Sequence, residues 1–75
     1  MDESNMLHKV NVIAAFFASY PHDEAVAGIA THLRMYWVPR MRLQLIEYVK
    51  AHGGDGLHEL VPEAVGTLET PVIRA

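Results

Sequence analysis

The chain contains no cysteine among its 75 residues. This absence excludes disulfide bonds, thiolate zinc sites and cysteine nucleophiles. A domain this short buries only about 60% of the surface that its unfolded chain exposes, and it usually needs a disulfide, a metal or a partner subunit. Because 51% of the residues are hydrophobic, the chain is too apolar for a disordered tail. We therefore expect a protein partner to supply the missing stability.

The sequence also lacks a long apolar run and a basic N-terminus. No run approaches the ~20 apolar residues that cross a bilayer. The first residues, Met1–Asn5, are acidic and polar, whereas a secretory signal begins with basic residues and then becomes apolar. We expect a soluble, cytoplasmic protein that does not bind membranes.

Positive charge is scarce, and most of it lies in the middle of the chain. The net charge is −3, which argues against nucleic acid as the main partner because such binding depends on neutralising phosphates. Residues 25–50 are the exception, since they hold four basic side chains against Glu47 alone. The four are Arg34, Arg40, Arg42 and Lys50. This basic segment is the main electrostatic feature of the sequence.

Helical periodicity dominates the chain, and proline and glycine interrupt it. We predict four helices. The first covers residues 3–20, and the second begins after an N-cap at Asp23 and ends at the elbow before Pro39. The third covers residues 39–52 and the fourth 61–69. The first has its inward side at Met6, Val10, Ile13, Phe17 and Tyr20, and its outer side at His8, Asn11, Ala15 and Ser19. The second has its stripe at Val26, Ile29, Ala30, Leu33 and Trp37. The predicted fold is a single all-α domain over 1–75, a bundle of three helices plus a short fourth, with frayed ends at 1–4 and 70–75.

Catalytic chemistry has little support in these residues. The serines lie in no nucleophile-elbow pattern, and the glycines at 53–56 lack the lysine and the strand of a phosphate loop. His52, Asp55 and His58 could supply three metal ligands, although helix caps and surface histidines explain them as well. We therefore predict no catalytic, cofactor-binding or metal-binding residues and expect a non-enzymatic protein.

A basic third helix leaves DNA binding open as an alternative. Arg40 and Arg42 begin this helix, as in a helix-turn-helix protein. Against DNA stand the net charge and the apolar residues that follow Arg42 instead of polar groups able to contact bases. A free-standing helical regulator that binds nucleic acid is thus the alternative function, and a homodimeric metal-binding protein is a third.

Apolar residues outside the predicted inward stripes favour a binding surface. Val12 and Phe16 lie off the stripe of the first helix. In the third helix, whose inward residues are Met41, Leu45, Tyr48 and Val49, Leu43 lies opposite the inward face and Ile46 at its edge. Trp, Met and Arg are enriched in the cores of protein interfaces. The predicted partner-binding residues are Trp37, Arg40, Met41, Arg42, Val12, Phe16, Leu43 and Ile46, with the elbow around Trp37 and Pro39 as the centre.

Several runs, in one order, resemble a known family. They are Phe16-Phe17 before Pro21, the run from Ala25 to Ala30 before His32-Leu33, Trp37-Val38-Pro39-Arg40-Met41-Arg42, Gly53 to Leu57, and Leu60-Val61 before Ala64-Val65. Over residues 5–69 they resemble the delta subunit of cytoplasmic, NAD-dependent, molybdenum-containing formate dehydrogenases.

This resemblance implies a role without chemistry of its own. In that family, molybdopterin guanine dinucleotide is bound by the large alpha subunit, and iron–sulfur clusters and flavin carry electrons to NAD through the alpha, beta and gamma subunits. The delta subunit holds no redox cofactor and supports assembly or stability of the complex. The expected partner is the large alpha subunit, with self-association when the chain is isolated.

Overall fold

A computed structural model describes residues 2–71, and over this range the chain forms helices and no strand. The helices are α1 (Glu3–Phe17), α2 (His22–Tyr36), α3 (Pro39–His52) and α4 (Leu60–Gly66). The prediction of an all-α fold is confirmed. None of the helices in the described range has the length and apolar character needed to cross a membrane.

Helix α1 begins at the predicted residue, Glu3, and ends earlier than predicted. Asp2 is its N-cap and accepts a hydrogen bond from the Asn5 backbone N–H at 3.4 Å, so residues 3 and 4, which we expected to be frayed, are helical. The helix ends at Phe17 rather than Tyr20. Proline disfavours helical backbone at the residue before it, which here is Tyr20, and the chain therefore turns before Pro21. Met1 and residues 72–75 lie outside the described range.

Helix α2 confirms the predicted stripe but not the predicted cap. It begins at His22 with Pro21 in the N-cap position, so Asp23 lies in the first turn, where its negative charge suits the helix dipole. All of the predicted inward residues are buried, together with Ala25; they are Val26, Ile29, Ala30, Leu33 and Trp37.

The elbow and α3 follow the prediction closely. Trp37 and Val38 have extended backbone, and Pro39 is the first residue of α3. The helix ends at His52, because Gly53 adopts a φ of 63° that other residues rarely take.

Helix α4 is short, but it lies at the centre of the packing. It runs from Leu60 to Gly66 instead of 61–69, and its buried residues are Leu60, Val61, Ala64 and Val65. It packs against α1, α2 and α3, whereas α3 packs mainly against α4. The predicted set of three helices and a short fourth is present, yet the fourth joins the others instead of being appended to them.

Side chains from α1 and α3 hold the loop that precedes α4. Asn11, expected on the outer side of α1, is half-buried; its amide donates to the Gly56 carbonyl at 2.9 Å and accepts from the His58 backbone N–H at 2.8 Å. The Tyr48 hydroxyl donates to the Asp55 carbonyl at 2.7 Å. Asn11 and Tyr48 therefore hold the loop that leads from α3 into α4.

Candidate partner interface

Two of the predicted partner-binding residues, Trp37 and Ile46, are directed into the core. Trp37 is only 7% exposed and belongs to the core cluster. Ile46, predicted as surplus apolar surface, is 5% exposed, on the helix that packs mainly against α4. The expectation of exposure is wrong for Ile46, because the core face of α3 includes Ile46 as well as Leu45.

Arg42 has a partner within the chain. Its Nη1 donates to the carbonyl oxygens of Trp37 and, at 3.4 Å, of Arg34, at the C-terminal end of α2. The last carbonyls of a helix have no partner within the helix, and a cation is favourable there. The carbonyls at the end of α2 therefore account for the position of Arg42 without an acidic group on a partner.

The other predicted residues of the elbow and α3 remain at least partly accessible. Arg40 is exposed, and with Leu43, Gln44 and Glu47 it lines a shallow depression along α3. Met41 and Leu43 are half-buried, and Met41 packs against the core. Arg40 and Leu43 could contact a partner, but they form no large apolar surface.

The largest exposed aromatic cluster lies at the end of α1, which ends just before Pro21. Phe16 and Tyr20 are 66% and 46% exposed, and both contact the half-buried ring of Phe17. The ring centres of Phe16 and Phe17 are 5.0 Å apart in an edge-to-face arrangement, and those of Phe17 and Tyr20 are 5.5 Å apart. Tyr20, predicted to point inward, is thus on the surface, since α1 ends before it.

Phe17 connects this cluster to an open groove along α2. The groove is lined mainly by apolar atoms, and its residues on α2 are Ala27, Gly28, Thr31, His32, Met35 and Tyr36. Met35 and Tyr36 are each 68% exposed, and the ring centres of Tyr36 and His32 are 4.7 Å apart. We call the surface formed by Phe16, Phe17, Tyr20, His32, Met35 and Tyr36 the aromatic face.

Gly28 explains how the two halves of the aromatic face meet. A Cβ atom at position 28 would lie 2.5 Å from Cε1 of Phe17, closer than real contacts allow. The absence of a side chain at Gly28 therefore lets the Phe17 ring lie against α2.

The sequence identified only part of this surface. Val12 and Phe16, predicted as exposed, are 55% and 66% exposed and lie one helical turn apart on α1. Met35 and Tyr36 were missed, although a signal was present for Met35, which lies opposite the inward stripe of α2, two helical turns after Ala27. Tyr36 lies at the edge of that stripe and gave no such signal. An apolar residue opposite a well-defined stripe indicates exposure.

The histidines and acidic residues of the last loop are not gathered into a metal site. Across residues 2–71, no group of three or more potential ligands is placed to hold a metal ion. His52 stacks on Tyr48 with ring centres 4.7 Å apart, and His58 Nδ1 accepts from the Leu60 backbone N–H at 3.2 Å. Both rings thus have structural roles at the ends of α3 and α4.

Comparison with known proteins places the chain in a family. Residues 5–65 match the family model described as NADH-dependent formate dehydrogenase delta subunit FdsD. The chain belongs to the FdsD family. No curated protein and no solved structure matches it. The suspected resemblance is thereby confirmed, and the matched range contains all of α2 and α3, most of α1 and α4 and the whole aromatic face.

The FdsD description implies association with other formate dehydrogenase subunits. A subunit of a complex needs a surface that its free form leaves open. Monomeric soluble proteins rarely expose large contiguous apolar patches without a function. In this FdsD chain, the aromatic face is the surface with that character.

Proposed function

We propose that this chain is a non-catalytic delta subunit that binds the large, molybdenum-containing alpha subunit of a cytoplasmic, NAD-dependent formate dehydrogenase. In this role it supports assembly or stability of the complex. The molybdopterin guanine dinucleotide, iron–sulfur clusters, flavin and NAD are bound by the other subunits. The observation that carries the proposal is the exposed aromatic face on a chain of the FdsD family.

The energetics of the aromatic face favour binding to a protein. Fully burying a large apolar side chain contributes about 1.5–3 kcal/mol, so the exposed two-thirds of Phe16, Met35 or Tyr36 would contribute roughly 1–2 kcal/mol each. Phe16 and Phe17 already pack edge to face, and the Tyr36 ring packs against His32 in a tilted arrangement. Such restricted rings lose little side-chain entropy on binding, which is one reason aromatic residues are frequent hot spots.

The elbow becomes a secondary contact in this proposal. Arg40 is exposed at the start of α3, where the helix dipole does not favour a cation, so an acidic group of the alpha subunit could pair with it. Trp37 and Ile46 would contribute through the core, by supporting the shape of the surface, rather than by direct contact. Val12 extends the aromatic face along α1.

The experiment that tests the proposal compares the enzyme with and without this chain. The alpha subunit, carrying an affinity tag, is expressed with its partner subunits in the presence or absence of the chain. We expect the chain to co-purify at a fixed ratio and the complex that contains it to keep formate oxidation for longer on warming. The isolated chain should neither oxidise formate nor bind NAD. Failure to co-purify, together with equal lifetimes of the two preparations, would rule out the proposed role.

A further inference from the structure

A separate cleft lies where the end of α2, the start of α3 and the chain leaving α4 meet. It is lined by Arg34, Arg42 and residues 67–71. None of these residues belongs to the aromatic face. The cleft therefore calls for an explanation of its own.

The position of Arg42 in this cleft is fixed by the backbone. Its Nη1 donates to the carbonyl oxygens of Trp37 and Arg34. A guanidinium group has five N–H donors, so those on Nε and Nη2 remain for another partner. A cation held in place in this way binds with a smaller loss of side-chain entropy than a freely moving one.

The positive charge of the cleft is not balanced within the described part of the chain. Neither Arg34 nor Arg42 forms an ion pair with another described residue, although Glu69 lines the same cleft. Arg34 lies in the last turn of α2, where the dipole favours its charge, but its side chain has no hydrogen bond among residues 2–71. Two arginines that line one cleft, in a chain of net charge −3, form a local positive site.

We propose that this cleft binds an oxyanion, a carboxylate or phosphate group, between Arg34 and Arg42. Both groups match the planar fork of a guanidinium, which can donate two parallel hydrogen bonds to them. The Thr70 hydroxyl in the same cleft is a further possible donor, whereas the Thr67 hydroxyl already donates to the Ala64 carbonyl at 2.7 Å. The Glu69 carboxylate opposes the anion and limits the affinity.

The test uses the full chain, labelled with ¹⁵N and titrated with sodium phosphate or sodium acetate. A sodium chloride titration at matched ionic strength corrects for screening. We expect saturable shifts of the Arg34 and Arg42 Nε–H signals and of the backbone amides of residues 67–70. Arg34→Gln should weaken binding at least fivefold, and Glu69→Gln should strengthen it. Arg40→Gln is the matched control, since Arg40 lies in the first turn of α3, as Arg42 does, but does not line the cleft. It should change the affinity less than twofold.

A second arm distinguishes a free ion from a carboxylate on a partner protein. If the natural ligand is a small anion, phosphate should bind the complex with the alpha subunit and the isolated chain alike. If it is an acidic side chain of the alpha subunit, phosphate should fail to saturate the complex, and Arg34→Gln should weaken co-purification. Either result supports oxyanion binding in the cleft.

Two results would overturn this inference. One is a set of shifts that do not saturate and equal those in chloride. The other is equal phosphate affinity for Arg34→Gln and the wild-type chain. Arg34→Gln removes no side-chain hydrogen bond to residues 2–71, so it should fold, and circular dichroism checks that it does. A negative result here leaves the proposed subunit role standing, because the aromatic face is a separate surface.

Discussion

Arg40 and Arg42 lie two residues apart at the start of α3, yet their surroundings give them different roles. Arg42 donates to backbone carbonyls at the end of α2. Arg40 is exposed and forms no ion pair or hydrogen bond within the described residues. Composition alone treats the two as one basic pair. Only the geometry separates an arginine that holds two helices together from one that is free to contact a partner.

This difference predicts unequal effects on stability. Arg42→Ala should lower the free energy of unfolding by about 1 kcal/mol, because the C-terminal carbonyls of α2 lose a charged donor. Arg40→Ala should change it by less than ~0.5 kcal/mol, as is usual for exposed positions. Urea denaturation of the two variants measures both values. Equal losses in the two variants would contradict the capping role of Arg42.

The contact between Gly28 and Phe17 predicts a coupling between the two positions. Alanine at position 28 gains roughly 1 kcal/mol of helix propensity over glycine, but its Cβ displaces the Phe17 ring. The effect of Gly28→Ala on the free energy of unfolding should therefore be about 1 kcal/mol more stabilising in a Phe17→Ala background than in the wild-type chain. A double-mutant cycle measures this difference. Gly66→Ala is the control, since a Cβ there meets nothing within 4 Å. Additive effects of Gly28→Ala and Phe17→Ala would show that the ring does not occupy this position.

At the scale of the helices, an exposed ion pair links the start of α2 to α4. His22 Nε2 lies 2.8 Å and 2.9 Å from the two carboxylate oxygens of Glu63. The hydrogen bond with Glu63 raises the pKa of His22 above its usual value of 6.5, and the negative charges of Glu63, Asp23 and Glu59 also raise it, while desolvation opposes the shift. The folded chain therefore binds the histidine proton more tightly than the unfolded chain does.

This pair predicts a pH dependence of stability. A raised folded-state pKa stabilises the fold fully below pH 6.5, and the stabilisation disappears as the pH rises through the folded-state value. The melting temperature should consequently decrease between pH 6 and pH 8.5 by more in the wild-type chain than in His22→Gln or Glu63→Gln. His8→Gln, at an exposed position on α1, serves as the control and should keep the wild-type slope. Identical slopes in wild type and His22→Gln would refute this linkage.

The helices could be predicted from sequence to the extent that local rules determine them. The stripe from Val26 to Trp37 and the start of α3 at Pro39 follow from periodicity and from the restrictions that proline imposes. The central position of α4 could not be predicted, because a helix of only seven residues has little periodicity and its place depends on contacts with three distant helices.

Only the part of the candidate site that follows from helical periodicity could be predicted from the sequence. Val12 and Phe16 were identified because they lie off the inward stripe of α1. Ile46 was assigned to the surface because the core face of α3, which packs mainly against α4, is wider than the stripe inferred from its own residues. Tyr20 was assigned to the core because α1 was expected to continue to Pro21.

For the molecule as a whole, the exposed aromatic face predicts self-association when no partner is present. The isolated chain should form a dimer or a larger species as its concentration rises, since burying this apolar surface is favourable. Phe16→Ser with Tyr36→Ser should shift the equilibrium toward monomer, because both side chains are about two-thirds exposed and contribute little to the core. Sedimentation velocity over a range of concentrations measures the effect. A wild-type chain that remains a monomer at high concentration would contradict this prediction.

The central claim is that the aromatic face binds the alpha subunit, and the most direct test is the affinity of surface variants for that subunit. Phe16→Ser with Tyr36→Ser should weaken binding by roughly 2 kcal/mol or more, the usual threshold for hot spots, while the circular dichroism spectrum and the melting temperature stay nearly unchanged. Arg40→Ala should weaken binding by less, as expected for a contact at the rim. The contradicting result is a Phe16→Ser, Tyr36→Ser variant that binds as tightly as wild type while Arg40→Ala loses binding, because the interface would then lie at the elbow.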